Sequence, residues 1–161
     1  MSQTQGDFSI VNKTRMQIPV LPFALLKEDI LGKKYSISIA LVDEKTIHKI
    51  NKEHRNKDKP TNVLSFLLSK KDGELILCPS LIKKESKDPE KNFGKSFESL
   101  LLFLVIHGML HLKGYEHSSR MDKAETFYCK KYAKKHINRN RHRLINDKSR
   151  GGRIPKRRKN S

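Results

Sequence analysis

The chain has 161 residues, and Lys plus Arg outnumber Asp plus Glu by 35 to 17, a formal net charge of +18. That length holds one compact domain able to fold without disulfides or a structural metal. The charge argues against acidic chaperone or buffer classes and for a polyanionic partner, either nucleic acid or an anionic membrane surface.

The longest apolar run, Leu100 to Ile106, covers seven residues; a membrane span needs about 20, so none is expected. The opening MSQTQGDFSIVNKTR has no basic segment followed by an apolar stretch, and no signal peptide is expected. Cys78 and Cys129 stand 51 positions apart and neither is in a CxxC pair, which favours free thiols in a reducing cytoplasm.

The charge is uneven. Residues 130–161 carry +13 and residues 1–129 only +5. The end of the chain, SRGGRIPKRRKNS, has little apolar material and cannot offset the entropy of ordering it. The sequence therefore divides into a folded domain over residues 1–146 and a basic tail over 147–161, expected to be disordered. Such a tail serves either solubility or contact with a nucleic acid such as RNA.

In chain order, Phe8, Ile10 and Val11 predict a short strand. Pro22 to Leu31 has helical apolar spacing, with Gly32 as a stop. Tyr35 to Val42 alternates, placing Ile37, Ile39 and Leu41 on one strand face. Asp43 caps a helix through about His54, with Ile47 and Ile50 inward. After a turn containing Pro60, Val63–Leu68 and Glu74–Cys78 read as strands that can form a hairpin.

Residues 83–95 read as a polar loop. Ser96 caps a helix from Phe97 to about Leu112 that is apolar nearly all round, hence central and buried. Gly114 ends it, and Ser118 opens a last helix with Met121, Ala124, Phe127, Tyr128 and Tyr132 inward. The expected class is α+β: a small mixed β-sheet packed against a buried central helix that carries two metal-ligand histidines.

Those histidines lie in His107-Gly-Met-Leu-His111-Leu-Lys-Gly114-Tyr-Glu-His117. His107 and His111, four residues apart, project from one helix face. Gly114 can take a positive φ and turn the chain back, so that His117 supplies a third nitrogen. Three neutral imidazoles with an open fourth position is the pattern of a catalytic zinc. Unpaired imidazoles on a buried apolar helix would be costly, which weighs against three unrelated histidines.

The spacing also fits the metzincin pattern HExxHxxGxxH, whose general base is the Glu after the first His. Here that position is Gly108, which can carry no proton, so a protease of this type lacks its base. Glu116 is a poor substitute beside the third ligand.

The segment HGMLHLKGYEH resembles the signature HGxLHLxGYDH of the YbeY-type endoribonucleases, the rRNA maturation factors. The resemblance extends upstream: Asn51, Arg55, Asp58 and the run Pro60-Thr61-Asn62-Val63-Leu64-Ser65-Phe66 match N-x3-R-x2-D-x-PT[DN]VLSF. Gly73-Glu74-Leu75 stands where that family has GDI, and Met121 with Glu125 matches a downstream M-x3-E. It covers roughly residues 35 to 135. Glu116 replaces the usual Asp, Leu67 the proline after LSF, and Glu74 the Asp of GDI.

The resemblance implies a cytoplasmic, single-strand-specific endoribonuclease acting in ribosomal RNA maturation and small-subunit quality control. It implies one zinc ion per chain on His107, His111 and His117, with Arg55 as the active-site arginine. The planar fork of Arg55 suits charge building on a phosphate. Asp58, Thr61 and Asn62 are expected to shape the turn. Tyr115 is left between stacking on a base and packing in the core.

Two other classes remain. One is a non-catalytic, zinc-stabilised RNA-binding ribosome assembly factor, whose metal would be closed by Cys78, Cys129 or Glu116. The other is a metallohydrolase of small phosphate esters or peptides. Oligomeric state is not legible in the sequence.

Overall fold

The computed structural model describes the backbone of residues 6–148 and the side chains of residues 6–133. Nine elements follow in order: β1 (Phe8–Asn12), α1 (Phe23–Ile30), β2 (Ser36–Leu41), α2 (Glu44–Arg55), β3 (Val63–Ser69), β4 (Asp72–Leu77), α3 (Pro79–Ser86), α4 (Phe97–Lys113) and α5 (Ser119–Lys148). The four strands form one sheet in the order β1-β2-β4-β3. β1, β2 and β4 run parallel, and β3 returns antiparallel to β4 as a hairpin. The mixed α+β architecture read from the sequence is the one observed.

The alternation of β2 works as expected. Ile37, Ile39 and Leu41 are buried while Ser36, Ser38 and Ala40 are only partly covered. Together with Leu75 and Leu77 of β4 they meet α1 and α4 in the main core. A smaller cluster on the other side of the sheet joins Ile47 of α2 to Leu64, Ile76 and Cys78. The sheet therefore separates α2 from α4.

Helix α4 is the centre of the molecule. Ten of its residues are buried, among them Leu101, Val105, Ile106, Met109 and Leu110. Each large aliphatic side chain so placed contributes about 1.5–3 kcal/mol by leaving water. Ser96 caps it, accepting the Ser99 backbone N–H at 3.3 Å, and Glu98 lies in the first turn, where a negative charge favours the helix dipole. Gly108 lets α4 approach the sheet: a Cβ there would lie 2.7 Å from Leu75 Cδ2 and 3.6 Å from Val63 Cγ2.

Two boundaries differ from the sequence reading. Residues 83–86 finish α3 rather than opening a loop; Ile82, fully buried, pins that short helix to the core. Strand β4 begins at Asp72, two residues before the Glu74 start read from the sequence, because Asp72 pairs with both Ser36 and Ser69. Helix α5 extends through Lys148. The rest of the tail expected to be disordered, residues 149–161, lies outside the described residues.

Candidate metal centre

The site is built on the last two turns of α4. His107 and His111 project from the face of α4 that α5 flanks, and Nε2 of one lies 3.1 Å from Nε2 of the other. Gly114, at φ +104°, ends the helix. Its N–H bonds to the His111 carbonyl at 3.0 Å, and the Tyr115 N–H reaches back to the Leu110 carbonyl at 3.0 Å, the reversal that a left-handed residue permits. That reversal carries His117 over the other two rings, with ring centroids 5.3 Å from His107 and 4.7 Å from His111. One ligand atom from each of the three histidines lies within 4.8 Å of the others.

The far side of each helical imidazole is also engaged. Nδ1 of His107 lies 2.6 Å from Oε1 of Glu125 on α5, a carboxylate only 8% exposed. Nδ1 of His111 lies 2.9 Å from the Tyr115 carbonyl. Carboxylates and carbonyls accept, so both Nδ1 atoms carry the protons. In their neutral form the rings turn two Nε2 lone pairs on each other across 3.1 Å. A cation between them relieves that arrangement, and tetrahedral zinc at about 2.0–2.1 Å from each nitrogen would hold two donors about 3.3 Å apart. Burial, and then the closeness of the His107 ring, hold His111 below the usual imidazole range, keeping it neutral and ready to donate.

These residues fit a divalent ion, with oriented ligands of the carboxylate–histidine kind. Among the described residues the cluster comprises three histidines, and neither Cys78, Cys129 nor Glu116 joins it. The protein side of the site is thus open. Gly108 faces the sheet, against Leu75 and Val63, so the glutamate of a metzincin would have no room there.

Arg55 is the last residue of α2 and starts on the opposite side of the sheet. It reaches the β3 edge, where Nη2 donates to the Ser65 carbonyl at 2.9 Å and the guanidinium lies 5.6 Å from the centroid of the Phe66 ring. β3 in turn packs on α4, with Val63 against Gly108. The described contacts therefore tie Arg55 to the strand that borders the histidine helix.

The turn between α2 and β3 is held by its own side chains. Asp58 pairs with His48 at 2.7 Å, Asn51 donates to the Lys59 carbonyl at 2.8 Å, and Asn62 donates to Glu85 at 2.9 Å. Asp58 and Asn62 shape the turn, as expected from their type. Glu125 was visible in the sequence as a motif position, but its role was not; an acid eighteen residues from its histidine leaves no local signal.

A family model described as Endoribonuclease YbeY matches residues 3–138. The chain belongs to the YbeY endoribonuclease family. Among curated relatives, the chain is 37% identical over 108 residues to an Endoribonuclease YbeY of Thermotoga petrophila, covering 64% of this chain and 69% of that one. It is also 37% identical over 122 residues to one of Staphylococcus epidermidis, covering 67% and 76%. A solution structure of a Thermotoga maritima protein shares the fold, with a TM-score of 0.59 at 24% identity over 94% of this chain and 99% of that one. The match to the YbeY model takes in the histidine segment, Arg55 and Glu125 alike.

Proposed function

We propose that the chain is a metal-dependent endoribonuclease that cuts single-stranded RNA at a zinc ion, one per chain, held by His107, His111 and His117. The observation that carries this reading is the pair of facing Nε2 atoms, on rings oriented by Glu125 and the Tyr115 carbonyl, beside a third histidine and no fourth protein ligand among the described residues. The relatives' name, Endoribonuclease YbeY, supplies the substrate class. When bound, such an ion polarises a phosphate oxygen or activates water for attack.

In this reading the protein's own groups divide the work. Glu125 and the Tyr115 carbonyl hold two imidazoles in their donor tautomers. Arg55, steadied by Ser65 and Phe66, offers its remaining N–H groups to charge developing on the phosphate. No side chain at position 108 competes for the proton. The biological substrate is ribosomal RNA, with the small ribosomal subunit as partner and the cytoplasm as location. No helix among the described residues is long and apolar enough to cross a membrane. The basic stretch 147–161, which begins within the last turn of α5, extends the RNA contact.

The open protein side of the cluster favours an enzyme over an assembly factor with a closed structural zinc. The test is cleavage of a single-stranded rRNA fragment by zinc-loaded protein. His111→Ala should abolish it, and Arg55→Ala should slow it by about 100-fold or more with metal content still near one equivalent. Cleavage by His111→Ala at the wild-type rate overturns the metal mechanism; loss of metal from Arg55→Ala makes the arginine structural.

A further inference from the structure

Several lysines of the described surface are already neutralised. Lys49 pairs with Glu53, Lys52 with Asp58, Lys84 with Glu44, Lys91 with Asp88 and Lys131 with Asp29. Lys95 and Arg120 are placed differently. Lys95 Nζ stands 5.4 Å from the centroid of the Phe103 ring, and the Arg120 guanidinium carbon 4.8 Å from that of Tyr115. Among the described residues neither has a carboxylate within ion-pair distance.

Both rings belong to the scaffold of the histidine centre. Phe103 lies one turn before His107, with ring centroids 5.9 Å apart. Tyr115 gives its carbonyl to His111. Phe103, His107 and His111 therefore follow one another along one side of α4, and the backbone of Tyr115 continues from His111 after the Gly114 turn. Lys95 marks the N-terminal end of this row and Arg120 the C-terminal end. From Phe103 to His111 is ~12 Å along the helix axis at 1.5 Å per residue, roughly three stacked nucleotides at 3.4 Å each. The thiol of Cys129 feels the charges of both Lys95 and Glu125, which sets Lys95 in the neighbourhood of the centre.

A cation held on an aromatic face is oriented without being neutralised. Its N–H groups stay available, and less side-chain freedom is lost when an anion arrives. For Arg120 the edge of the guanidinium remains free for a bidentate phosphate contact. We propose that Lys95 and Arg120 are substrate-positioning residues, each contacting a phosphate of the RNA strand on either side of the one presented to the three histidines. This rests on the endoribonuclease reading for the identity of the strand. It adds where the strand lies: along α4, running from Lys95 past the histidines to Arg120.

The test uses full-length, zinc-loaded protein and two probes. The first is a fluorescent single-stranded 2′-O-methyl oligoribonucleotide, whose binding is followed by anisotropy across a salt series. The second is the cleavable RNA of the same sequence. Lys95→Ala and Arg120→Ala should each weaken binding about five- to tenfold at low salt and reduce the salt slope by about 0.7. KM for cleavage should rise by the same factor with kcat within about twofold. Lys95→Arg and Arg120→Lys should restore the slope. Lys49→Ala removes an equal charge from a paired, exposed site and should leave the slope unchanged.

An unchanged slope in both alanine variants overturns the proposal. So does a fall in kcat at unchanged KM, or a loss that the charge-conserving variants fail to rescue, since either marks a structural role. Wild-type protein that binds the oligonucleotide through these two residues but cleaves no RNA refutes the endoribonuclease reading and leaves the positioning role standing.

Discussion

Oε1 of Glu125 lies 2.6 Å from Nδ1 of His107, joining α5 to the helix that carries His107 and His111. The carboxylate fixes which ring nitrogen holds the proton and so which one is left to donate. α5 is anchored for this task. Met121 is buried at its start, and two helical turns past Glu125 the Tyr132 hydroxyl donates to Asp29 of α1 at 2.8 Å.

Glu125→Gln keeps the size of the side chain and removes its charge. Zinc affinity should fall about 10- to 100-fold, the usual effect of losing a ligand's hydrogen-bonding carboxylate. A competition titration against a chromophoric chelator measures it. Unchanged affinity would show that the contact is packing alone.

The metal-free protein should lose stability as pH falls from 7 to 5. His111 is held below the ordinary imidazole value, first by burial and then by His107. A depressed histidine favours the neutral form in the fold, so its contribution is complete above about 6.5, the unfolded value, and drains as pH falls through the lower folded value. His111→Gln, neutral throughout, should show a shallower decline in denaturant midpoint over that window. Bound zinc steepens the acid dependence, because each imidazole must be unprotonated to bind it.

Gly108→Ala adds one methyl group 2.7 Å from Leu75 Cδ2, itself fully buried. Overpacking of this kind costs about 1–3 kcal/mol, and the better helix propensity of alanine returns about 1 kcal/mol. A net loss of about 1 kcal/mol in urea unfolding is expected. A stabilised variant would mean that the strands yield more easily than their burial indicates.

Cys129 should be inert in the native protein. Burial, partly offset by Lys95, pushes its thiol up to about 11, so at pH 8 only about one molecule in a thousand carries the thiolate that reacts. Cys78 is wholly buried, with its Sγ 3.4 Å from the Ser80 hydroxyl. Both thiols are free. A colorimetric thiol reagent should titrate two groups in denaturant and none within minutes in native buffer.

The parts of the molecule that sequence revealed are those with local causes. The alternation of Ile37, Ile39 and Leu41, the Asp43 and Ser96 caps, and the i, i+4 histidines each act over a few residues. The strand order β1-β2-β4-β3 depends on parallel pairings between distant segments, for which no short pattern exists. Helix α3 was hidden for a related reason. The side chain of its N-cap, Cys78, makes no capping hydrogen bond to the backbone of the first turn, and its stability comes from Ile82 in the core and from Glu85 bonding Asn62. In the site, the histidines were legible and the partners that orient them were not: a backbone carbonyl leaves no mark in composition, and Glu125 meets His107 only once α5 has docked.

All three donor nitrogens come from eleven consecutive residues, His107 to His117. Bringing them together closes a short loop, and the entropy lost in doing so is small beside that of aligning β1, β2 and β4. A metal ion can therefore be captured once the last turns of α4 and the Gly114 reversal exist, while the sheet is still unassembled. An ion bound there would act as a nucleus for folding as well as a reagent. Refolding should be faster with zinc present at the start than with zinc added afterwards, and the order in which the chain meets such an ion would then become part of how it matures.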